Sequence, residues 1–479
     1  MPWLFSWACA AGVLFWWALV AQTPAQRLGT VALAWTLAAC ASAVLGLLQF
    51  FDLVRDWAPW VNQPGLGHAF GNLRQRNQFA TLCSVGLAAL WWWAQQPAAV
   101  RVRGAQAVAG ALALVLAALL GAASAASGSR TGLLQLVVLA TLVAGWNRAY
   151  ARRYAPAAAP RAARWLLPVA LLAYAAAALA LPRLAGIDGS VFERLNESSA
   201  QCNSRLNLWR NVLFLIAQKP WWGWGWGELN YAHFMAAYDT PWAGLRFCEM
   251  LDNAHNLPLH LAVELGVPVA VFFFGVLLVW LWRQAPRRET RPQRQLAWAV
   301  LAVIGLHSLL EYPLWYGPFQ LAVLLSLWIL HAYPAQDGAR ASAPAAARWR
   351  WPAVVAACAI AAVCTVAAWS YWRVSQLYLP AAERAPQYRQ QTWTKLHGTW
   401  LYHDQVDFAE FAVTPVTPQT AAHLLDLGES LLHFSPEPLV VQKMLDSAHL
   451  LGRDAQYAVH ARQFEAAFPE AYAAWRTAH

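Results

Sequence analysis

The chain has 479 residues, of which 59% are hydrophobic, 13% aromatic and only 12% charged, about half the charged fraction of an ordinary soluble domain. That composition excludes a soluble globular protein and specifies a membrane protein. The formal net charge of +10 does not point to nucleic acid, because the arginines behind it gather in short connections between apolar runs.

Apolar runs recur at 3–22, 28–51, 78–96, 105–123, 131–147, 165–182, 256–282, 296–312, 317–333 and 351–372, most of them near the roughly 20 residues that a bilayer-spanning helix needs. They predict an all-α, polytopic membrane protein with about ten transmembrane helices. The first run starts at Met1 with no basic segment before it and no clear cleavage site, so it reads as a helix rather than a removed signal peptide. The connections at 23–30, 97–104, 148–164, 283–294 and 334–350 carry 1, 2, 5, 5 and 3 arginines against two acids, Glu289 and Asp337. This bias places them in the cytoplasm. The remaining connections and both termini then face outward. Four parts follow: helices one to six over 1–183, a large periplasmic loop over 184–254, helices seven to ten over 255–372, and a helical periplasmic tail over 373–479.

Of the seven cysteines, Cys202 and Cys248 share the outer loop and the rest lie in apolar runs. A periplasmic loop is in an oxidising place, which predicts a Cys202–Cys248 disulfide; two free thiols are the alternative, and no spacing suggests zinc. In the tail, 420–434, 437–451 and 454–468 have apolar residues at helical spacing, broken by "SPEP" and "GR". They look like antiparallel helices of the tetratricopeptide kind, short of the usual three repeats, so the tail is expected to lean on something.

Four polar clusters interrupt the apolar pattern, all on the outer side. "GNLRQRNQ" brings Arg74, Gln75, Arg76 and Asn77; a solvated loop is the bland reading. "SGSRTG" puts Arg130 at an outer helix end, against the inner-face bias. In the outer loop, "NSRLNLWRN" holds Arg205 and Arg210, and "KPWWGWGWGELN" alternates Trp and Gly as an interfacial hairpin would, with glycines letting backbone approach a ligand. In "NAHNLPLHLAVELG", a helix would set Asn256, His260 and Glu264 on one stripe with His255 at its start, and "HSLLEYPLWY" would stack His307 over Glu311. A single membrane histidine is often no more than a helix contact. Two His/Glu stripes on one face beside several arginines favour a site.

Guanidinium forks suit a phosphate-bearing lipid. A histidine near neutral pKa beside them can take a proton from an attacking hydroxyl, and the arginines can stabilise a departing pyrophosphate. No DxD, HExxH or GxxxxGK[ST] is present, so nucleotide-sugar, zinc-protease and ATP chemistry lack their parts. No cofactor is expected.

At these residues the sequence resembles the O-antigen ligase and polymerase superfamily, and more closely its bacterial O-linked oligosaccharyltransferase branch, the pilin glycosylation ligases. The resemblance rests on "GNLRQRNQFA", "SGSRTG", "SRLNLWRNVLFLIAQKPWWGWGWG", "HNLPLHLAVELG" and "HSLLEYPLWY", spread over about 70–320 in family order. It implies a multi-pass enzyme of the bacterial inner membrane whose site faces the periplasm. The enzyme would pass a glycan from undecaprenyl pyrophosphate to a Ser/Thr hydroxyl of a pilin-like protein, without a metal. It makes His255 the base, with Glu264 and Tyr312 as further catalytic candidates. Arg74, Arg76, Arg130, Arg205 and Arg210 would hold pyrophosphate, with Gln75, Asn77, Asn256, His307, Glu311 and Tyr316 around the substrates. The branch often carries more than ten helices, a departure here. "WWGWG" also resembles the signature of N-linked oligosaccharyltransferases, but that signature needs Asp where this chain has Gly223. Competing readings are an O-antigen ligase acting on lipid A-core, an O-antigen polymerase, a transporter of lipid-linked glycan, and a scaffold.

Overall fold

A computed structural model describes residues 2–20, 22–96, 103–153, 161–187, 204–334 and 350–478. Among them all regular structure is helical. The membrane body comprises α1 (Pro2–Leu19), α2 (Pro24–Phe50), α3 (Arg76–Ala94), α4 (Arg103–Ala126), α5 (Arg130–Arg153) and α6 (Arg161–Leu184). The outer loop contributes α7 (Arg205–Gln218) and α8 (Leu229–Met235). After it come α9 (Leu257–Leu265), α10 (Val267–Gln284), α11 (Pro292–Ser308), α12 (Gly317–Ala332) and α13 (Arg350–Ser375).

Each of the ten apolar runs contains a helix among the described residues, but ten spans are not thereby established. Six helices among the described residues are long and apolar enough to cross a membrane, and Leu4–Leu19 and Gly317–Ala332 are shorter apolar helices. Helix α3 is the axis of the body: it is buried from Asn77 to Trp92, with α2, α4, α5 and α11 around it. Small residues make this possible, since Ala32, Ala39 and Ala43 of α2 are fully buried and let the helix backbones approach closely. By contrast α10 stands nearly free, with 6% of its apolar span buried against 33% for α2. It is held near its C-terminal end, where Trp280 meets Trp298 at 5.1 Å and Gln284 accepts from buried Arg294 at 2.8 Å.

Two expected helices are corrected. The run 256–282 is not continuous: it breaks at Gly266, with φ +89°, into α9 and α10. Asn256 lies outside α9 as its cap, its side chain accepting from the Leu259 amide at 3.0 Å, rather than on a stripe with His260 and Glu264. The run 296–312 stops being α-helical at Ser308, so Glu311 sits in the loop that follows, its amide still bonded to the His307 carbonyl at 2.8 Å.

The Trp/Gly hairpin explains the break. The amides of Trp224 and Gly225 donate to the carbonyls of Val263 and Glu264 at 2.9 and 3.0 Å, and Val267 donates to Pro220 at 2.8 Å. The first two bonds satisfy C-terminal carbonyls of α9, which have no partner within their helix, and the third satisfies the first amide of α10. A Cβ on Gly223 would lie 2.3 Å from the Glu264 oxygen, and one on Gly266 would lie 2.2 Å from the Trp221 oxygen. The glycines therefore let the hairpin approach the chain's own backbone, where the sequence suggested a ligand.

The tail contains α14 (Thr392–Leu396), α15 (His403–Val413), α16 (Ala421–Phe434), α17 (Pro438–Leu450), α18 (Asp454–Ala467) and α19 (Pro469–Ala478). It leans on α8. Phe234 is fully buried in the tail's core with Phe411, Leu424 and Phe464, His433 pairs with Glu228 at 2.7 Å and stacks on Tyr231 at 3.8 Å, and Asn230 donates to the Phe434 carbonyl at 3.2 Å. Cys248 is disulfide-bonded; its expected partner, Cys202, lies outside the described residues.

Candidate active site

Glu311 gathers the polar clusters. Its Oε1 accepts from Asn77 Nδ2 at 2.9 Å and from Arg205, and its Oε2 accepts from Gln75 Nε2 at 3.4 Å and from His255 Nδ1 at 2.7 Å. Residues from four separate stretches of chain thus meet at one carboxylate that is 5% exposed. Such a buried charge persists only when paired and hydrogen-bonded.

Local structure aims each partner. Asn77 lies in the first turn of α3, and its Oδ1 accepts from Ser129 Oγ at 2.6 Å. Ser129 in turn accepts from the Gly132 amide at 3.0 Å, so "SGSRTG" forms the turn that starts α5 and fixes Asn77. Arg205 opens α7, which Ser204 caps by accepting from the Asn207 amide at 3.2 Å. His255 has a left-handed backbone, φ +49°, uncommon outside glycine; the side chain of buried Asn253 accepts its amide at 2.9 Å. Because a carboxylate only accepts, the bond to Glu311 puts the hydrogen on Nδ1 and leaves Nε2 of a neutral ring as the free base. The His255 ring is edge-on to Tyr312 at 4.9 Å, and Tyr312 stacks on Tyr316 at 5.9 Å.

This group lines a cavity of about 1050 Å³ whose walls include Arg76, Arg205, His255, Glu311 and Tyr312. Across from them stand Glu249, Asp252 and Asn253 of the outer loop, and Phe434, Glu437 and Phe468 of the tail. A second polar chain runs inward from Asn77. Thr81 Oγ1 donates to the Asn77 carbonyl at 2.8 Å, accepts from Gln135 Nε2 at 2.7 Å and meets His307 Nδ1 at 2.8 Å. His307 is therefore joined to the group through Thr81 and Asn77.

Other candidates lie elsewhere. Glu264 pairs with buried His260 at 3.4 Å and accepts from the Gly227 amide; the His260 ring is edge-on to Trp315 at 4.8 Å. Neither residue lines the cavity, so Glu264 serves the hairpin, and the carboxylate on His255 is Glu311. Arg210 lines a separate cavity of about 670 Å³ on another face of α7. Arg74 and Arg130 are exposed and do not line the main cavity. Asn256 ties α9 to the Leu309 carbonyl at 3.0 Å. Ser129, Thr81, Gln135 and Asn253 are positioning residues that the sequence did not single out; only Ser129 and Asn253 carried a signal, inside the motifs that flagged Arg130 and His255.

Three family models match the chain in order: protein glycosylation ligase over residues 69–94, O-antigen ligase over 113–274, and virulence factor membrane-bound polymerase, C-terminal, over 295–479. Among curated proteins, the chain is 27% identical over 156 residues to a general O-oligosaccharyltransferase of Acinetobacter baylyi, covering 32% of this chain and 26% of that protein. It is 28% identical over 134 residues to a ComP-specific O-oligosaccharyltransferase of the same organism, covering 28% and 23%. The match spans about a quarter of the length of these relatives. No solved structure matches.

Proposed function

Since the chain belongs to the O-antigen ligase superfamily, in its protein-glycosylating branch, we propose that it transfers a glycan from undecaprenyl pyrophosphate to a Ser/Thr hydroxyl of a pilin-like protein, on the periplasmic side of the bacterial inner membrane. The observation that carries the reading is the His255–Glu311 pair at 2.7 Å in a cavity that also presents Arg76 and Arg205. The acceptor hydroxyl gives its proton to His255 Nε2 as its oxygen attacks the anomeric carbon of the donor. The bond from that carbon to the pyrophosphate oxygen breaks, and the electron pair leaves with the lipid pyrophosphate. Glu311 holds the ring and stabilises the imidazolium that forms. Arg76 and Arg205 face the charge that grows on the leaving group.

The test is an assay with purified protein, lipid-linked glycan, a pilin-like acceptor and a chelator, read by mass spectrometry of the acceptor. Transfer to Ser or Thr that is lost in His255→Ala supports the reading; an acceptor left unmodified by the wild-type protein refutes it. A second reading, a sugar hydroxyl as acceptor, draws on the polymerase description of the family model over 295–479 and keeps the same base and leaving group. The same assay with a glycan acceptor separates the two.

A further inference from the structure

A cleft of about 690 Å³ lies between α1, α12 and α13, at the far end of α12 from Tyr316 and the catalytic cavity. Its walls are apolar along most of their length, with Leu14, Leu321, Leu325, Ala356 and Ile360. One end is different: Trp17, Arg27, His331 and Arg350 all line it, and among the described residues no Asp or Glu does. The two guanidiniums are fixed by the end of α1, where Arg27 Nη2 donates to the Trp17 carbonyl at 2.7 Å and Arg350 donates to the carbonyls of Ala18 and Leu19 at 2.8 and 3.1 Å.

Capping a helix end accounts for those bonds but not for what is left over. Trp17 is 8% exposed, and its Nε1 has no partner; the buried Arg27 Nε has none either. A buried donor without an acceptor is costly, and a guanidinium offers five donors, of which Arg27 spends one here. Two unpartnered donors and two fixed cations at the mouth of an apolar cleft, with no acid there among the described residues, ask for an anion attached to hydrocarbon.

We propose that this cleft holds one anionic phospholipid, its phosphate between Arg27, Arg350 and the Trp17 indole N–H and its acyl chain along α12. Arg27 and Arg350 belong to the connections 23–30 and 334–350, which the arginine bias assigns to the cytoplasm; this puts the lipid in the cytoplasmic leaflet, opposite the catalytic cavity. It is distinct from the lipid-linked donor.

The test is native mass spectrometry of the full chain released from micelles supplemented with phosphatidylglycerol or with phosphatidylcholine. One phosphatidylglycerol stays bound under activation that strips phosphatidylcholine. The double variant Arg27→Gln, Arg350→Gln weakens its binding roughly thirtyfold, in line with the contribution of two basic groups to an anionic headgroup. Trp17→Phe keeps the ring and removes only the indole donor, so it lowers occupancy without threatening the fold, and it decides the matter if the double variant does not fold. Equal retention of both lipids, unchanged occupancy in Trp17→Phe, or displacement of the bound lipid by undecaprenyl phosphate overturns the proposal.

Discussion

The Glu311 carboxylate binds both the His255 imidazole and the Arg205 guanidinium, and the two demands differ. His255 needs an acceptor that fixes its tautomer; Arg205 needs a countercharge that leaves its other donors free for a ligand. Glu311→Gln keeps the shape and removes the charge, so transfer by this variant falls about 10²- to 10³-fold in kcat, while His255→Ala falls by about 10²- to 10⁴-fold, the usual worth of a positioned base. Single-turnover assays with saturating donor measure both, and a Glu311→Gln rate within a factor of two of wild type sinks the assignment. At this scale the sequence marked His255, Arg205, Gln75 and Asn77, because ionisable and amide groups are rare beside apolar runs. It placed Glu264 among the catalytic candidates and Glu311 around the substrates. Helical spacing treats both as second members of a His/Glu stripe, and only the break at Gly266 and the early end of α11 separate them. Thr81 and Gln135 went unread because one polar residue inside an apolar run gives no direction.

Elements fail or hold through their ends. Because α9 has only nine residues, the hairpin amides carry much of its C-terminal capping. Gly266→Ala forces a side chain into φ +89° and against the Trp221 carbonyl, costing on the order of 2–3 kcal/mol; a thermal melt of the detergent-solubilised protein reads this as a lowered midpoint, with transfer reduced as His255 loses its footing. The outer loop has a pH dependence of its own. His233 bonds Tyr238 at 2.6 Å, and burial, then the Arg246 charge, push its pKa down from 6.5 to about 3. A histidine with a depressed pKa stabilises the fold above its unfolded pKa, and that stability is lost as pH falls from about 6.5 toward about 3. The unfolding midpoint of wild type should fall on moving from pH 7.5 to 5, and His233→Gln should flatten the slope; an identical slope refutes the role. The tail helices at 420–434, 437–451 and 454–468 were legible to within a residue or two because their apolar spacing is regular and "SPEP" and "GR" break it. Helix α7 was taken for loop, although Leu208, Val212 and Leu215 fall on one helical face, because its polar residues drew attention away from that spacing.

For the whole molecule, the docking of the tail on α8 decides the shape of the cavity, since Phe434, Glu437 and Phe468 wall it. The expectation that the tail leans on something was correct. The surface it uses was hidden, because α8 is seven residues long and its apolar face makes sense only against the tail. Phe234→Ala removes a fully buried ring from that junction at a cost of about 3–5 kcal/mol. Limited proteolysis should then release the tail faster than in wild type while the membrane body stays intact, and an unchanged cleavage rate argues against the junction.

The near-isolation of α10 has a mechanical consequence. A post pinned at its tips and bathed in hydrocarbon must tilt when the surrounding sheet of lipid thins or thickens, and its upper tip is joined through Gly266 to the short helix that begins beside His255. Turnover in vesicles should therefore peak at one acyl length and decline on either side, so that the catalyst gauges the depth of the membrane in which it sits.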